Sequence, residues 1–249
     1  MRRVAAWCAS LFAILSVFAG AAMAAEIKVL SAGAVEPGLH AAALAYTKQS
    51  GNEVKITFNT APAIRKRIGA GEIFDVVIAP PAALDEFGGK VSADRVALGR
   101  VGLGVAVRPG AEVPDISSTE ALKRSVLAAD SIVFNRASTG IYLENLLKKM
   151  GIYDQILSKT TRYPDAGAVM EHLLKGKGKE IGFGPITEIL LQRDKGLKLV
   201  GPLPADVQNY TSYSAAPMTA SAAPELARAF VRYLGSPESK ALLVAAGID

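Results

Sequence analysis

The sequence predicts an α/β protein of two lobes, each a doubly wound and mainly parallel sheet, joined by two chain crossings. Three observations carry this. Short apolar strands alternate with helix-patterned segments between Ile27 and Ala79. The alternation starts again beyond Pro109-Gly110, which breaks a long apolar run. A late apolar segment, Tyr210 to Met218, then reads as a strand that returns to the first unit.

The elements follow in order. Ile27 to Leu30 is a strand running into Ser31-Ala32-Gly33-Ala34. A helix is predicted from about Glu36, with Pro37 near its first position and Gly51 ending it. Val54, Ile56 and Phe58 alternate along a second strand. It ends in Asn59-Thr60-Ala61-Pro62, before a helix that carries Ile64, Ile68 and the basic trio Arg65, Lys66 and Arg67. Asp75 to Ala79 is continuously apolar after its aspartate, as buried parallel strands are. Gly99 to Arg108 forms the long strand of the first crossing. Ser117 with Glu120 has the spacing of a capping box and opens the next helix.

Asp130 to Phe134 is a strand feeding Asn135 to Gly140, and Ile141 to Met150 is a helix stopped by Gly151. Ala168 to Leu174 is helical and Ile181 to Gly184 is a short strand. The tail is helical from Pro224, with Ser236-Pro237-Glu238 starting its last segment as N-cap and first turn. Residues 25–108 with 214–249 are expected to form the first lobe and residues 109–213 the second.

Residues 1–24 read as a signal peptide. Arg2 and Arg3 precede an apolar stretch, and Ala22-Met23-Ala24 supplies the small residues read at a cleavage site. The apolar run is also long enough to serve as an uncleaved anchor. Cleavage would leave 225 of the 249 residues and discard Cys8 and Trp7, the chain's one cysteine and one tryptophan. The mature chain then has no disulfide and no thiol chemistry. Of the 28 basic side chains, loss of Arg2 and Arg3 leaves 26 against 23 acidic ones, a net charge of +3. With no polybasic run, nucleic acid is not an expected partner. No second apolar segment reaches membrane length, so the mature chain is expected to be soluble.

Catalytic patterns are scarce. Both histidines, His40 and His172, fall inside predicted helices, and neither neighbours a junction. The nucleophile elbow, the zincin helix and the P-loop are all missing from the sequence. Gly99, Gly102 and Gly104 lie within a strand rather than opening a helix. Lys175 to Lys179 reads as a solvated basic turn. No paired carboxylates are expected at the junctions, and no metal or cofactor is expected.

Four strand-to-helix junctions are the better candidates: Ser31 to Ala34, Asn59 to Ala61, Ser138 to Gly140, and Asp165 to Gly167. Free backbone N–H groups at helix starts favour an anion, and small side chains let it come close to the backbone. Plain N-capping by Thr60, Ser138 or Asp165 is the simpler alternative at each one.

At these junctions the chain resembles a known family. VLSAGAVEPGL, ITFNTAPAIRKRIGAGEIFDVVIAP, ASTGIYLENLLKKMGIYD and the tail ARAFVRYLGSPESKALLVAAGI are similar, in order and spacing, to periplasmic binding proteins of ABC importers, most of all the molybdate-binding proteins. The resemblance implies a two-lobed type II binding fold in the periplasm. It implies a monomer that is not an enzyme, which holds one small anion in a cleft and delivers it to a permease in the inner membrane.

Matched residue by residue, the implied ligand contacts fall at Ala34, Ala61 with Thr60 beside it, Thr139 and Ala166. Ser138 is added from the junction itself. The family's hydroxyl donors are replaced here by Ala34 and Ala61, and its tyrosine after the Ile181 strand by Gly184-Pro185. Missing donors weaken an oxyanion site by about 1–3 kcal/mol each. They also enlarge the pocket, which suits a di- or tricarboxylic acid. Arg136, Arg162 and Arg65 lie near the junctions and are candidates to pair with a carboxylate. An exported enzyme acting on anions, or a sensor domain of the same fold, stands as the alternative from another class.

Overall fold

The computed structural model describes residues 25–249. The predicted signal peptide, and its alternative as an anchor, lie outside the described residues. Among the described residues nine strands and ten α-helices follow in chain order: β1 Glu26–Ala32, α1 Glu36–Ser50, β2 Glu53–Asn59, α2 Ala61–Gly69, β3 Val76–Ala79, α3 Pro81–Glu86 and β4 Val96–Val107 come first. Then come α4 Thr119–Ala128, β5 Ser131–Asn135, α5 Ser138–Lys149, α6 Tyr153–Ile156, β6 Thr160–Tyr163, α7 Ala166–Lys175 and β7 Glu180–Pro185. The chain closes with α8 Ile186–Leu190, β8 Lys198–Pro202, β9 Tyr210–Pro217, α9 Pro224–Leu234 and α10 Pro237–Ala245.

The fold is α/β with a mixed sheet, consistent with two lobes. In the first part β2, β1 and β3 run parallel; in the second, β6, β5 and β7 do. Between them stand β9 and β4, which pair antiparallel with each other and with β3 and β7. The sheet order is thus β2-β1-β3-β9-β4-β7-β5-β6, with β8 added antiparallel to β4. The parallel share is smaller than the sequence pattern suggests. Long strands that run between two halves come back against their neighbours, so half of each sheet is antiparallel.

Three clusters of core pack along these strands, the third formed by Ala106, Val133, Val169, Met170, Leu173, Ile189 and Leu197. Leu98 and Val101 of β4 belong to a core with β1, β3, α1 and α9. Two residues on, Leu103 and Val105 belong to another, with Phe134 of β5, Leu143 of α5 and Phe183 of β7. One strand therefore changes core at Gly102. Glycine suits the strand's thin places. A Cβ on Gly102 would lie 3.2 Å from the Tyr210 ring, and one on Gly104 only 2.8 Å from Ile186 Cγ1. These glycines admit β9 and α8, which is a packing role.

Helix boundaries mostly follow their sequence signals. Gly51 closes α1 with φ 75°, and Ser236 caps α10 through the amide of Ser239. The capping box is a correction. Ser118, not Ser117, caps α4, its Oγ accepting from Ala121 N at 3.1 Å, because the extended residue before Thr119 is Ser118. Short elements α3, α6, β6, α8 and β8 carry no distinct periodicity and are found only through what they pack against. No helix among the described residues is long and apolar enough to cross a membrane.

Candidate functional site

Helix starts from both halves of the sheet meet at one cleft. It encloses about 270 Å³, near the lower end of the ~300–1,000 Å³ usual for small-ligand pockets. One wall carries Gly33 and Ala34 in the turn after β1, with Thr60 and Ala61 at the start of α2. The other carries Ser138 and Thr139 at the start of α5, with Asp165, Ala166 and Gly167 at the start of α7.

Each start is built the same way. Its third amide is taken by a side chain: Ala63 N by Thr60 Oγ1 at 3.4 Å, Gly140 N by Asn135 Oδ1 at 3.1 Å, and Ala168 N by Asp165 Oδ1 at 2.8 Å. The first helical amides, those of Ala61, Ser138, Thr139, Ala166 and Gly167, have no acceptor within their helices. They are the groups with which such a cleft can hold an anion.

The six positions Ala34, Thr60, Ala61, Ser138, Thr139 and Ala166 all line this cleft. Their chemistry differs. The Ser138 hydroxyl has no hydrogen-bond partner among the described residues, whereas the hydroxyl of buried Thr139 accepts from Asn135 Nδ2 at 2.9 Å. Asn135 also accepts from Ala137 N at 2.9 Å, so one buried amide organises the whole start of α5. Gly140 is obligatory beside it, since a Cβ there would fall 1.8 Å from Asn135 O.

None of the three candidate arginines lines the cleft. Arg136 is exposed and stands off the cleft wall, and its backbone amide donates to Tyr163 O at 2.8 Å. Arg162 pairs with Glu144 and lies 5.0 Å over the Phe134 ring, while Arg65 pairs with Glu86 at 2.5 Å. Carboxylates elsewhere satisfy two of them, and among the described residues no lysine or arginine lines the cleft. Both histidines lie off it too; His172 Nδ1 is 2.9 Å from Tyr163 OH.

Carboxyl groups do converge, contrary to the expectation from the junctions. Glu36, Asp165 and Glu188 all line the cleft. Glu188 sits on α8, which follows β7 and reaches across to the first half: Thr187 Oγ1 donates to Ala34 O at 2.6 Å. Its Oε1 lies 3.5 Å from where a Cβ on Gly33 would stand. Burial, with the negative charges of Glu36 and Asp165 next, pushes its carboxyl up to about 8. Beside it the phenol of buried Tyr213 is held above its ordinary range, first by burial and then by the charge of Glu188. Tyr213 therefore stays protonated as a donor.

Neither Glu188 nor Asn135 was among the expected site residues. An acid inside the apolar run IGFGPITEILL was the available signal for the first. The expected tyrosine of the next turn has no room at Gly184, where a Cβ would meet Met170 Cε at 2.7 Å.

A two-part α/β fold closing on a cleft of helix starts defines a solute-binding architecture. The family of bacterial extracellular solute-binding proteins matches residues 27–249, and the chain belongs to it. It is 33% identical over 235 residues to the aconitate isomerase of a Pseudomonas species, covering 89% of this chain and 87% of that protein. In fold it is similar to the periplasmic molybdate-binding protein of Azotobacter vinelandii, with a TM-score of 0.74, 20% identity and coverage of 90% and 98% of the two chains. It is similar also to L-phospholactate-bound PEB3, a Campylobacter jejuni protein, with a TM-score of 0.68, 14% identity and coverage of 89% and 98%.

Proposed function

We propose that this chain is a periplasmic solute-binding protein that takes a small polycarboxylate anion, of the aconitate class, in the cleft between its lobes. The anion half of this reading rests on one observation: helix starts from both halves of the sheet turn unpaired amides into one cavity. The carboxylate half draws on the donor set. Ala34, Ala61 and Gly184 stand where hydroxyls would complete an oxyanion shell, and three acidic side chains line the wall. A compact dianion with no cation nearby would meet Glu36, Asp165 and Glu188 at close range. A larger acid spreads its charge toward the separate helix starts and can take a hydrogen bond from protonated Glu188. The 33% identical relative is named for a tricarboxylate, which favours the same class.

In this reading the mature chain is a monomer, with residues 25–108 and 214–249 in one lobe and 109–213 in the other, and it hands its solute to an ABC permease. A tetrahedral oxyanion is the second reading, favoured by the fold shared with a molybdate-binding protein. Thermal shift with molybdate, tungstate, sulfate, phosphate, citrate and cis- and trans-aconitate separates the two. A ligand at a hundred times its Kd adds about 2.7 kcal/mol of stability. Shifts with the tricarboxylates are expected; shifts confined to molybdate and tungstate would overturn the assignment.

A further inference from the structure

We propose that Glu188 is an acid–base residue, and that it moves a proton between two carbons of an unsaturated polycarboxylate held in this cleft. The inference rests on the carboxylate reading above and goes further, since a binding protein needs no such group. Glu188 has neither a hydrogen bond nor an ion pair among the described residues, though it lies on the cleft wall beside the helix starts that would hold the ligand's carboxylates. The titratable groups around it are Glu36 on α1, Asp165 ahead of α7 and Tyr213 on β9, two acids and a phenol. None is a cation that would fix it as a permanent carboxylate.

An acid placed purely for structure would be paired. An acid placed purely to bind an anion would be replaced to advantage by a neutral donor. An unpaired carboxyl that exchanges its proton near neutrality suits proton transfer.

The reaction balances without a further reactant. Aconitate carries a methylene group beside a carbon–carbon double bond, with carboxylates flanking both. Ionised Glu188 accepts a proton from the methylene carbon, and the electron pair left behind delocalises across the allylic carbons into a flanking carboxylate. The Tyr213 hydroxyl, which stays protonated, is a donor on the wall beside Glu188 able to stabilise that charge. Glu188 then returns the proton to the far carbon of the allylic system. The double bond moves by one position, and substrate and product are isomers. No electrons enter or leave.

The test uses the full mature chain with cis- and trans-aconitate in heavy water. Wild type should show a ligand-induced thermal shift, deuterium entry at the methylene carbon by NMR, and interconversion of the isomers. Its kcat/KM should rise with pH through a midpoint near 8 and level off above it, as Glu188 becomes ionised. Glu188→Gln should keep the thermal shift and lose exchange and interconversion by about 10²–10⁴-fold. Glu188→Asp, which titrates but is one methylene shorter, should fold alike and fall in between.

Binding by wild type without deuterium entry would overturn the proton-transfer role and leave the binding assignment standing. Turnover unchanged in both variants would overturn the role of Glu188. Absence of any shift with either isomer would overturn both readings.

Discussion

Glu188 ties stability to pH in a direction that can be worked out beforehand. Its carboxyl is raised from 4.5 to about 8 in the folded chain, by burial first and by Glu36 and Asp165 next. The folded chain thus keeps a proton that the unfolded chain gives up. Its contribution is complete below about 4.5 and is lost as the pH climbs toward 8. Glu188→Gln should match wild type in urea unfolding at pH 4.5 and exceed it at pH 9, by an amount on the order of a few kcal/mol. Ser138 is a cleaner probe of binding, because its hydroxyl has no hydrogen-bond partner among the described residues. Ser138→Ala should weaken the ligand by about 0.5–1.5 kcal/mol and leave the melting temperature unmoved. Thr60→Ala should do both, since Thr60 also caps α2 and such caps contribute about 0.5–2 kcal/mol.

The start of α5 is the most constrained segment of the cleft. Asn135 ends β5, and its side-chain amide reaches the backbone of Ala137 and Gly140 and the hydroxyl of Thr139. A strand end and a helix start are thereby locked by one residue. Gly140→Ala would drive a methyl group into the Asn135 carbonyl, a backbone atom that cannot step aside. It should cost at least about 1–3 kcal/mol, and ligand affinity with it, read by urea unfolding and titration calorimetry. The five-residue helix α8 depends on a different bond. Thr187→Val keeps the shape but leaves the buried Ala34 carbonyl without its donor, a loss of about 1–3 kcal/mol. Because that bond joins α8 to the turn after β1, the variant should also shift Glu188 relative to the ligand.

Across the molecule, β4 contributes residues to more than one core, and β9 pairs along it to the point where Gly102 packs on Tyr210. A ligand that bonds amides on both walls gains most when the walls approach, so it favours a closed form. X-ray scattering with saturating tricarboxylate should show a smaller radius of gyration than the free protein. Superimposable curves at saturation would refute closure. The mild positive charge expected for the mature chain does not reach the cleft, where the charged side chains are acidic. Local amides and hydroxyls, rather than the field of the whole protein, are the groups that would hold an anion there.

Much of this was readable from residue order. The alternation of strands and helices between Ile27 and Ala79, Pro37 at the start of α1, Gly51 at its end and Ser236 before α10 each act over a few residues. Local forces of that kind leave local marks. The four junctions were legible for the same reason, since small and hydroxyl residues at a helix start announce exposed amides.

What tertiary structure decided is everything that needs distant residues to meet. The short strand β8 forms because β4 offers it an edge, and α8 because Gly104 leaves space for Ile186. Arg162 was claimed by Glu144, eighteen residues away, and so was lost to the ligand. Glu36 precedes Asp165 and Glu188 by more than a hundred residues, yet all three share one cleft. Their mutual repulsion and burial, which set the chemistry of Glu188, arise only when the chain has closed around them.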